Sequence, residues 1–175
     1  MDDCDEVFEQ HGSLVWATVY RILGDHAESL DCCQEVFAEL LTRPTARPVR
    51  NWAGYLKWLA TRRAIDGLRR RRAIAARFEP DGDIEILDAN QPRPEAEILA
   101  HELRERLKDE LTRLPAQQAQ AFWLVSVEEL SYEETSEQLG VNPNHVGVLV
   151  HRARSRLREW LAELNPGGQR GARTV

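Results

Sequence analysis

A tryptophan followed by a run of arginines is the stretch of this sequence whose side chains have the most specific chemistry. The segment Arg62–Arg77, which begins one helical turn after Trp58, contains seven arginines, and Asp66 is its only acidic residue. Aromatic rings stack on unpaired bases, at roughly 1–3 kcal/mol per base, while guanidinium groups follow the phosphates. We therefore predict a surface for single-stranded nucleic acid on a helix that begins at Asn51. The alternative is that Trp58 lies in the core and the arginines form a solvated helix end, which the helix dipole favours.

A second stretch, Leu130–Leu157, contains the capping residues of two helices around a tight turn. Ser131 and Glu134 are three residues apart and match a capping box at the start of the first helix. Gly140 is placed to end that helix in the left-handed conformation, and Asn142 to cap the second helix. The pattern predicts a helix-turn-helix, whose second helix enters the major groove of DNA. The alternative is an ordinary antiparallel helix pair inside a bundle.

The second helix of this motif is amphipathic. Its apolar residues recur at helical spacing and form one face: Val146, Val150, Ala153, Leu157, Leu161 and Leu164. The opposite face is polar: Asn144, His145, Arg152, Ser155 and Arg156. Such side chains contact base edges and phosphates, so this face is the predicted DNA-contacting surface.

An acidic helix precedes the arginine-rich one. Asp25 is placed to cap it, and Glu28 completes another capping box. Its outer face carries acidic and amide side chains: Glu28, Asp31, Gln34, Glu35 and Glu39. Its inner face is predicted from apolar residues: Leu30, Cys33, Phe37, Leu40 and Leu41. The outer face is either simply solvated or a docking surface for a basic partner.

The composition excludes several classes of protein. The chain has 175 residues and a net charge of −6, so local basic patches rather than the total charge must hold any nucleic acid. Three cysteines, two of them the neighbours Cys32 and Cys33, do not make a disulfide framework, and no Cys or His spacing predicts a metal site. The N-terminus is acidic, and no segment has the length and apolarity of a membrane span. We expect a soluble, cytoplasmic protein without a cofactor.

The predicted fold is all-α, with two small helical bundles joined by an acidic linker. Residues 1–78 form the first bundle, residues 79–94 the proline-containing linker, and residues 95–164 the second bundle with its helix-turn-helix. A loop as long as this linker separates two small domains better than it fits inside one. Residues 165–175, in which a proline and two glycines follow Asn165, are predicted to be a disordered tail.

Three segments, in this order and at this spacing, form a pattern known from one family. The first is DCCQEVFAELL at Asp31–Leu41, similar to a D-L-V-Q-E-V-F run. The second is WAGYLKWLATRRAIDGLRRRR at Trp52–Arg72, similar to a helix ending A-x-D-x-L-R-R-R. The third begins LPAQQAQAFW at Leu114 and continues through LSYEETSEQLG to VHRARSRLREWL. From Phe8 to Leu164 the chain resembles the extracytoplasmic-function sigma factors, the smallest promoter-recognition subunits of bacterial RNA polymerase.

The resemblance implies a role for each matching residue. The first bundle corresponds to sigma region 2 and the second to sigma region 4. Four residues are expected to bind core RNA polymerase: Asp31, Gln34, Glu35 and Glu39. With the preceding loop at Thr42–Arg50, five are expected to contact the −10 promoter element: Trp58, Arg62, Arg63, Arg69 and Arg70. Three are expected to reach base edges of the −35 element, namely Asn144, His145 and Val148, and three to meet its phosphates, namely Arg152, Arg154 and Arg156.

The sequence departs from the family pattern at both promoter-reading helices. Where the family usually has A-R-N, this chain has Ala60, Thr61 and Arg62, so an arginine replaces an asparagine that often contacts bases. In the recognition helix the family usually reads T-V-K-S-R-L-H-R-A-R, and Gly147 and Leu149 stand in place of its Lys and Arg. The loss of two basic side chains predicts weak DNA binding by the isolated second bundle.

The leading hypothesis is a dissociable initiation factor that binds core polymerase and promoter DNA and catalyses no reaction. A stand-alone helix-turn-helix regulator is the alternative, but it assigns no role to the acidic helix or to the Trp58 surface. An enzyme acting on nucleic acid is disfavoured, because no Gly-rich phosphate loop is present and His145 and His151 have no nucleophile in register. The resemblance also implies an anti-sigma factor as a partner, with no small-molecule substrate and no membrane insertion.

Overall fold

The computed structural model describes residues 2–42, 48–78 and 95–164, and every regular element in these ranges is an α-helix. The helices are, in chain order, α1 (Asp2–Leu23), α2 (His26–Thr42), α3 (Trp52–Phe78), α4 (Glu95–Arg113), α5 (Ala116–Ser126), α6 (Tyr132–Leu139) and α7 (Pro143–Leu164). The predicted all-α fold is confirmed. The predicted linker and tail lie outside the described residues, as does most of the predicted Thr42–Arg50 loop.

The first bundle packs α1 and α2 against α3. Val15 and Val19 of α1, and Leu56 and Leu59 of α3, are completely buried because they recur at helical spacing on facing stripes. Burying each such side chain stabilises the fold by about 1.5–3 kcal/mol. Gly24 ends α1 with a φ of 69°, a left-handed conformation that glycine adopts without steric penalty.

The inner face of α2 agrees with the predicted one only in part: Cys33 is buried, and Phe37 and Leu40 pack against the core. Ser29, Cys32 and Val36 are buried, whereas Leu30 and Leu41 are 46% and 66% exposed. The prediction placed the largest apolar side chains of α2 in the core, and for Leu30 and Leu41 it was wrong. Small side chains at a helix contact allow the helices to approach closely. The buried face of α2 therefore follows the packing against its neighbours better than it follows hydropathy.

In the second bundle, α6 and α7 form the predicted helix-turn-helix. The Ser131 hydroxyl accepts a hydrogen bond from the Glu134 N–H at 3.1 Å, and the Glu134 carboxylate accepts one from the Ser131 N–H at 2.9 Å. This backbone hydrogen bond is the main reason why the pKa of Glu134 lies below its usual value. Gly140 has a φ of 65°, and Asn142 Oδ1 accepts from the His145 N–H at 2.8 Å. The capping interactions predicted for the helix-turn-helix are therefore confirmed.

The two bundles pack on each other, with α3 lying against α4, α5 and α6. Residues of the second bundle are buried in the same cluster as the core of the first: Leu111, Leu114, Ala119, Trp123, Ala153 and Leu157. A smaller cluster holds α7 to α5: Ala121, Val146, Leu149 and Val150. The sequence predicted two bundles but contained no sign that they share a core.

The capping box at the start of α6 yields a test of local stability. Ser131→Ala removes the side-chain acceptor of the Glu134 N–H, so we expect the free energy of unfolding to fall by about 1 kcal/mol. Urea denaturation followed by circular dichroism measures this change. Ser13→Ala, at an exposed position within α1, is the matched control and should leave stability nearly unchanged. Equal losses in the two variants would show that the cap has no special role.

Candidate functional site

Three of the four residues predicted to bind a protein partner lie on the outer surface of α2. Asp31, Gln34 and Glu35 are exposed, and their spacing places them on one face of the helix. The fourth, Glu39, points toward α3, and its side chain is only 9% exposed. The solvent-facing part of this acidic surface is therefore made by Asp31, Gln34 and Glu35.

Glu39 binds the first two arginines of α3. Arg62 Nη2 donates to the two carboxylate oxygens at 2.6 and 2.8 Å, and Arg63 Nε donates to Oε2 at 2.7 Å. Burial raises the pKa of Glu39, but the hydrogen bonds and charges of the two arginines outweigh it and hold the pKa below its usual value. The sequence assigned Glu39 to polymerase and the arginines to DNA, and the structure brings the two sets together.

Trp58 lies beside this ion-pair cluster and is half-buried. The Arg62 guanidinium carbon is 4.9 Å from the centroid of the indole ring, a cation–π distance, and the Tyr55 ring centroid is 5.5 Å away. The indole N–H is buried and has no hydrogen-bond partner within the described ranges. Trp58 thus lies between the surface position and the core position that the sequence left open, with part of its ring packed against the core.

The later arginines of α3 have different neighbours. Arg69 Nη2 donates to the Leu114 carbonyl at 2.7 Å, and Arg72 Nη1 donates to the Thr112 hydroxyl at 2.7 Å. Both guanidinium groups thus lie at the C-terminal end of α4, where carbonyls lack partners within the helix and positive charge is favourable. Arg70 is exposed. The predicted nucleic-acid surface is therefore divided among contacts to α2, contacts to α4 and solvent.

The polar face of α7 is open to solvent. All six residues predicted to contact DNA in this bundle are exposed: Asn144, His145, Val148, Arg152, Arg154 and Arg156. The four-residue spacing of Asn144, Val148 and Arg152 places them in one row along the helix. Arg154 lies on another side, toward α5, where its Nη2 donates to the Ser126 hydroxyl at 3.1 Å. The structure thus separates Arg154 from this row.

Gly147 and Leu149, the two departures in the recognition helix, have structural explanations. A Cβ atom at Gly147 would lie 3.3 Å from Cε2 of Tyr132, so the missing side chain leaves room for that ring. Leu149 is 5% exposed and belongs to the cluster that holds α7 to α5. The interpretation of Leu149 as a lost DNA contact was wrong, because position 149 faces the core. Tyr132, which is 39% exposed beside the polar face, is a candidate contact that the sequence reading missed.

Glu128, in the turn between α5 and α6, was also missed, yet it carries much of the polar contact between the bundles. Its side chain is completely buried. The carboxylate accepts hydrogen bonds from Arg21 Nη2 at 2.8 Å, from the Thr18 hydroxyl at 3.1 Å and from Trp123 Nε1 at 3.3 Å. Lys57 Nζ donates to the backbone carbonyl of Glu128 at 2.7 Å. No sequence pattern marks an acidic turn residue as buried.

Metal binding and thiol chemistry find no support in the described part of the chain. Within it, no group of three His, Cys, Asp or Glu side chains is arranged to hold a metal ion. Burial raises the pKa of Cys32 to about 12 and that of Cys33 to about 11, so both thiols stay protonated at neutral pH. They serve as small apolar core residues. Among the described helices, none combines the length and apolarity needed to cross a bilayer.

Known proteins resemble this chain over both bundles. The family model for Sigma-70 region 2 matches residues 7–74, and the model for Sigma-70, region 4 matches residues 104–157. The chain is 31% identical over 163 residues to the ECF RNA polymerase sigma factor SigE of Mycolicibacterium smegmatis, which covers 93% of this chain and 63% of SigE. The chain belongs to the extracytoplasmic-function sigma factors. Region 2 corresponds to α1–α3 and region 4 to α4–α7, and sigma factors as a family are not enzymes.

Further relatives of this sigma factor agree with that assignment. SigW of Bacillus subtilis is 25% identical over 166 residues, which cover 91% of this chain and 89% of SigW. RpoE of Bartonella quintana, solved in complex with the anti-sigma factor NepR, has a TM-score of 0.55 at 19% identity, covering 92% of this chain and 98% of RpoE. SigJ of Mycobacterium tuberculosis has a TM-score of 0.50 at 21% identity, covering 86% of this chain and 51% of SigJ. These two structures show the same fold.

The ion pairs of Glu39 make stability depend on pH. Because the pKa of Glu39 is lower in the folded than in the unfolded chain, its contribution is present above the unfolded value, about 4.3, and is lost as pH falls through the folded value. We expect Glu39→Gln to lower the free energy of unfolding at pH 7 and to flatten its decline on acidification. Urea denaturation at a series of pH values measures both effects.

The matched control for Glu39 is Glu35→Gln on the same helix. The Glu35 side chain is 48% exposed, and its contact with Arg63 is 3.6 Å long. An exposed pair of this kind contributes little to stability, so the control should follow the wild-type pH profile. A Glu39→Gln profile with the wild-type slope would contradict the buried ion pair as the cause.

Proposed function

We propose that this sigma factor binds core RNA polymerase, directs it to promoters and thereby initiates transcription, without catalysing a reaction itself. The observation that supports this most is the order of three surfaces along one chain. An exposed acidic face on α2 is followed by an aromatic and basic helix, α3, and then by the open polar face of α7. The first serves polymerase, the second the −10 element and the third the −35 element. Because core polymerase and the chromosome of a bacterium are in the cytoplasm, we expect this activity there.

At the −10 element, we expect DNA to compete with the internal partners of the α3 arginines. Arg62 and Arg63 are held by Glu39, and Arg69 by the C-terminal end of α4. Phosphate is a strong bidentate acceptor for guanidinium and can replace a carboxylate without a change of geometry. The exposed Arg70 provides a first contact, and unpaired bases stack on the accessible side of Trp58.

At the −35 element, Asn144, His145 and Val148 read base edges, while Arg152 and Arg156 hold phosphates. Arg154, on the α5 side of the helix, makes a more distant phosphate contact. Tyr132 extends this surface, because Gly147 lets its ring lie against α7 next to the exposed row. A tyrosine hydroxyl at the start of the first motif helix can donate to a phosphate of the groove edge.

A protein regulator is part of the proposal. RpoE of Bartonella quintana was solved with the anti-sigma factor NepR bound, and we extend such a partner to this chain. The stand-alone helix-turn-helix regulator is not favoured. It assigns no function to the acidic face of α2 or to the Trp58 and arginine cluster of α3, which match the family's region 2.

Reconstitution tests the whole proposal. Core RNA polymerase of the source bacterium is incubated with the chain, purified as a complex, and used to select transcribed fragments from a genomic library by run-off transcription. We expect co-purification with core and transcripts that share two spaced sequence elements. Sequence-specific DNA binding by the chain alone, without binding to core, would instead favour the stand-alone regulator.

Reversal of one charge tests the α2 surface. Asp31→Arg introduces positive charge at an exposed position of the acidic face, so repulsion from a basic partner should weaken binding to core polymerase by roughly tenfold. Titration of labelled chain with core measures the Kd. Glu102→Arg makes the same change on the exposed surface of α4 and should keep the wild-type Kd. Equal weakening in both would exclude a specific docking role for Asp31.

Removal of one hydroxyl tests Tyr132. Tyr132→Phe keeps the ring against Gly147 but removes the proposed hydrogen bond to phosphate, and we expect roughly fivefold weaker promoter binding by the reconstituted complex. A gel-shift titration with a selected promoter measures this. Tyr20→Phe, at a 45% exposed tyrosine of α1, is the matched control and should bind like the wild type. Unchanged binding by Tyr132→Phe would remove Tyr132 from the −35 surface.

A further inference from the structure

A single buried carboxylate joins the two bundles. Glu128 belongs to region 4, but Arg21 of α1 reaches it with two nitrogens: Nε is 3.1 Å from Oε1, and Nη2 is 2.9 Å from Oε1 and 2.8 Å from Oε2. Thr18 of α1 donates to Oε2 at 3.1 Å, and Trp123 of α5 donates to Oε1 at 3.3 Å. Donors from both bundles therefore satisfy one carboxylate that has no exposed surface.

The backbone of the same turn is held from the region 2 side as well. Lys57 Nζ of α3 donates to the Glu128 carbonyl at 2.7 Å. The next residue, Glu129, has a φ of 58°, a left-handed conformation that residues with a side chain rarely adopt. The Leu130 N–H closes the turn on the Leu124 carbonyl at 2.9 Å. This left-handed residue directly follows Glu128, whose carboxylate points inward, toward α1.

Other polar contacts also join the bundles, and one of them involves a residue proposed to read the promoter. Arg69, assigned above to the −10 element, donates instead to the Leu114 carbonyl of region 4 at 2.7 Å. Asn51, just before α3, donates to Glu134 in the first helix of the helix-turn-helix at 3.0 Å. A guanidinium group bound to α4 is not available to a phosphate in the same arrangement.

The promoter itself sets a distance that the packed chain cannot span. Elements centred at −10 and −35 are about 25 base pairs apart, or about 85 Å along straight duplex DNA. A folded chain of this length has a radius of gyration of about 16 Å and is about 40 Å across. The segment 79–94 between the bundles can extend to at most about 55 Å, enough to let them part and reach both elements.

We infer that the free sigma factor is closed, with Glu128 as the latch between regions 2 and 4, and that the latch must open before the chain can engage both promoter elements. This inference rests on the proposed function. Closure lowers the apparent affinity for any partner that binds the open form, because only the open fraction is competent. A variant with a weakened latch should therefore bind such a partner more tightly, whereas an ordinary structural defect would weaken binding.

The test compares latch variants of the full chain with a matched control. Glu128→Gln removes the charge that pairs with Arg21, and Arg21→Met removes the same pair from the other side, at a residue that is 47% exposed. Arg113→Met is the control, because Arg113 is similarly exposed at 53% and pairs with Glu110 within α4. Small-angle X-ray scattering of the free chain gives its radius of gyration, and titration with core polymerase gives the apparent Kd.

We expect both latch variants to have a larger radius of gyration than the wild type and an apparent Kd for core that is roughly tenfold lower, while Arg113→Met matches the wild type. Circular dichroism identifies a variant that does not fold. If Glu128→Gln unfolds, Arg21→Met decides the question, because the Arg21 side chain is half-exposed and Glu128 keeps its hydrogen bonds from Thr18 and Trp123.

Unchanged scattering and unchanged affinity in both latch variants would overturn the inference, and so would a wild-type chain that is already extended. The proposed function fails separately, if the wild type and all variants fail to bind core. In that case the scattering alone decides whether Glu128 closes the chain.

Discussion

The buried carboxylate of Glu128 is the constraint on which the arrangement of the two bundles depends. Removal of a carboxylate from water costs several kcal/mol unless other groups replace its hydration. Here Arg21 and Thr18 of the first bundle and Trp123 of the second replace it together. The apolar cluster shared by the bundles supplies nonspecific attraction, whereas this polar network is satisfied in one relative position only. The carboxylate can stay buried only while the bundles remain in contact.

The charges of α3 are organised by the same principle. The chain is acidic overall, yet α3 carries a dense run of arginines, and most of those described have an internal acceptor. Glu39 binds Arg62 and Arg63, and the end of α4 binds Arg69. In our proposal, promoter contact and closure are coupled because both use Arg69, and α2, which faces polymerase, holds Arg62 and Arg63 through Glu39. DNA then has to displace internal acceptors, so its binding depends on the assembled complex rather than on the net charge of the chain.

Local interactions were the most predictable part of the structure. Ser131, Gly140 and Asn142 act within a few residues of their partners, so the sequence pattern was sufficient to predict the caps at both ends of α6 and at the start of α7. The exposed row of Asn144, Val148 and Arg152 followed from helical periodicity. The buried face of α2 and the inward orientation of Leu149 were not predictable in this way. Both depend on how closely a second helix approaches, which a hydropathy pattern does not record.

The sequence by itself determined the helices, the family and the three classes of surface, because each follows from spacing along a single helix or from a motif within one segment. Only the tertiary structure decided which charged groups face solvent and which face each other. Glu39 and Arg62 are 23 residues apart and Glu128 and Arg21 are 107 residues apart, and no local pattern relates them. Such ion pairs form only when the helices pack, because burial of a charge is costly unless packing places an opposite charge or a hydrogen-bonding group next to it.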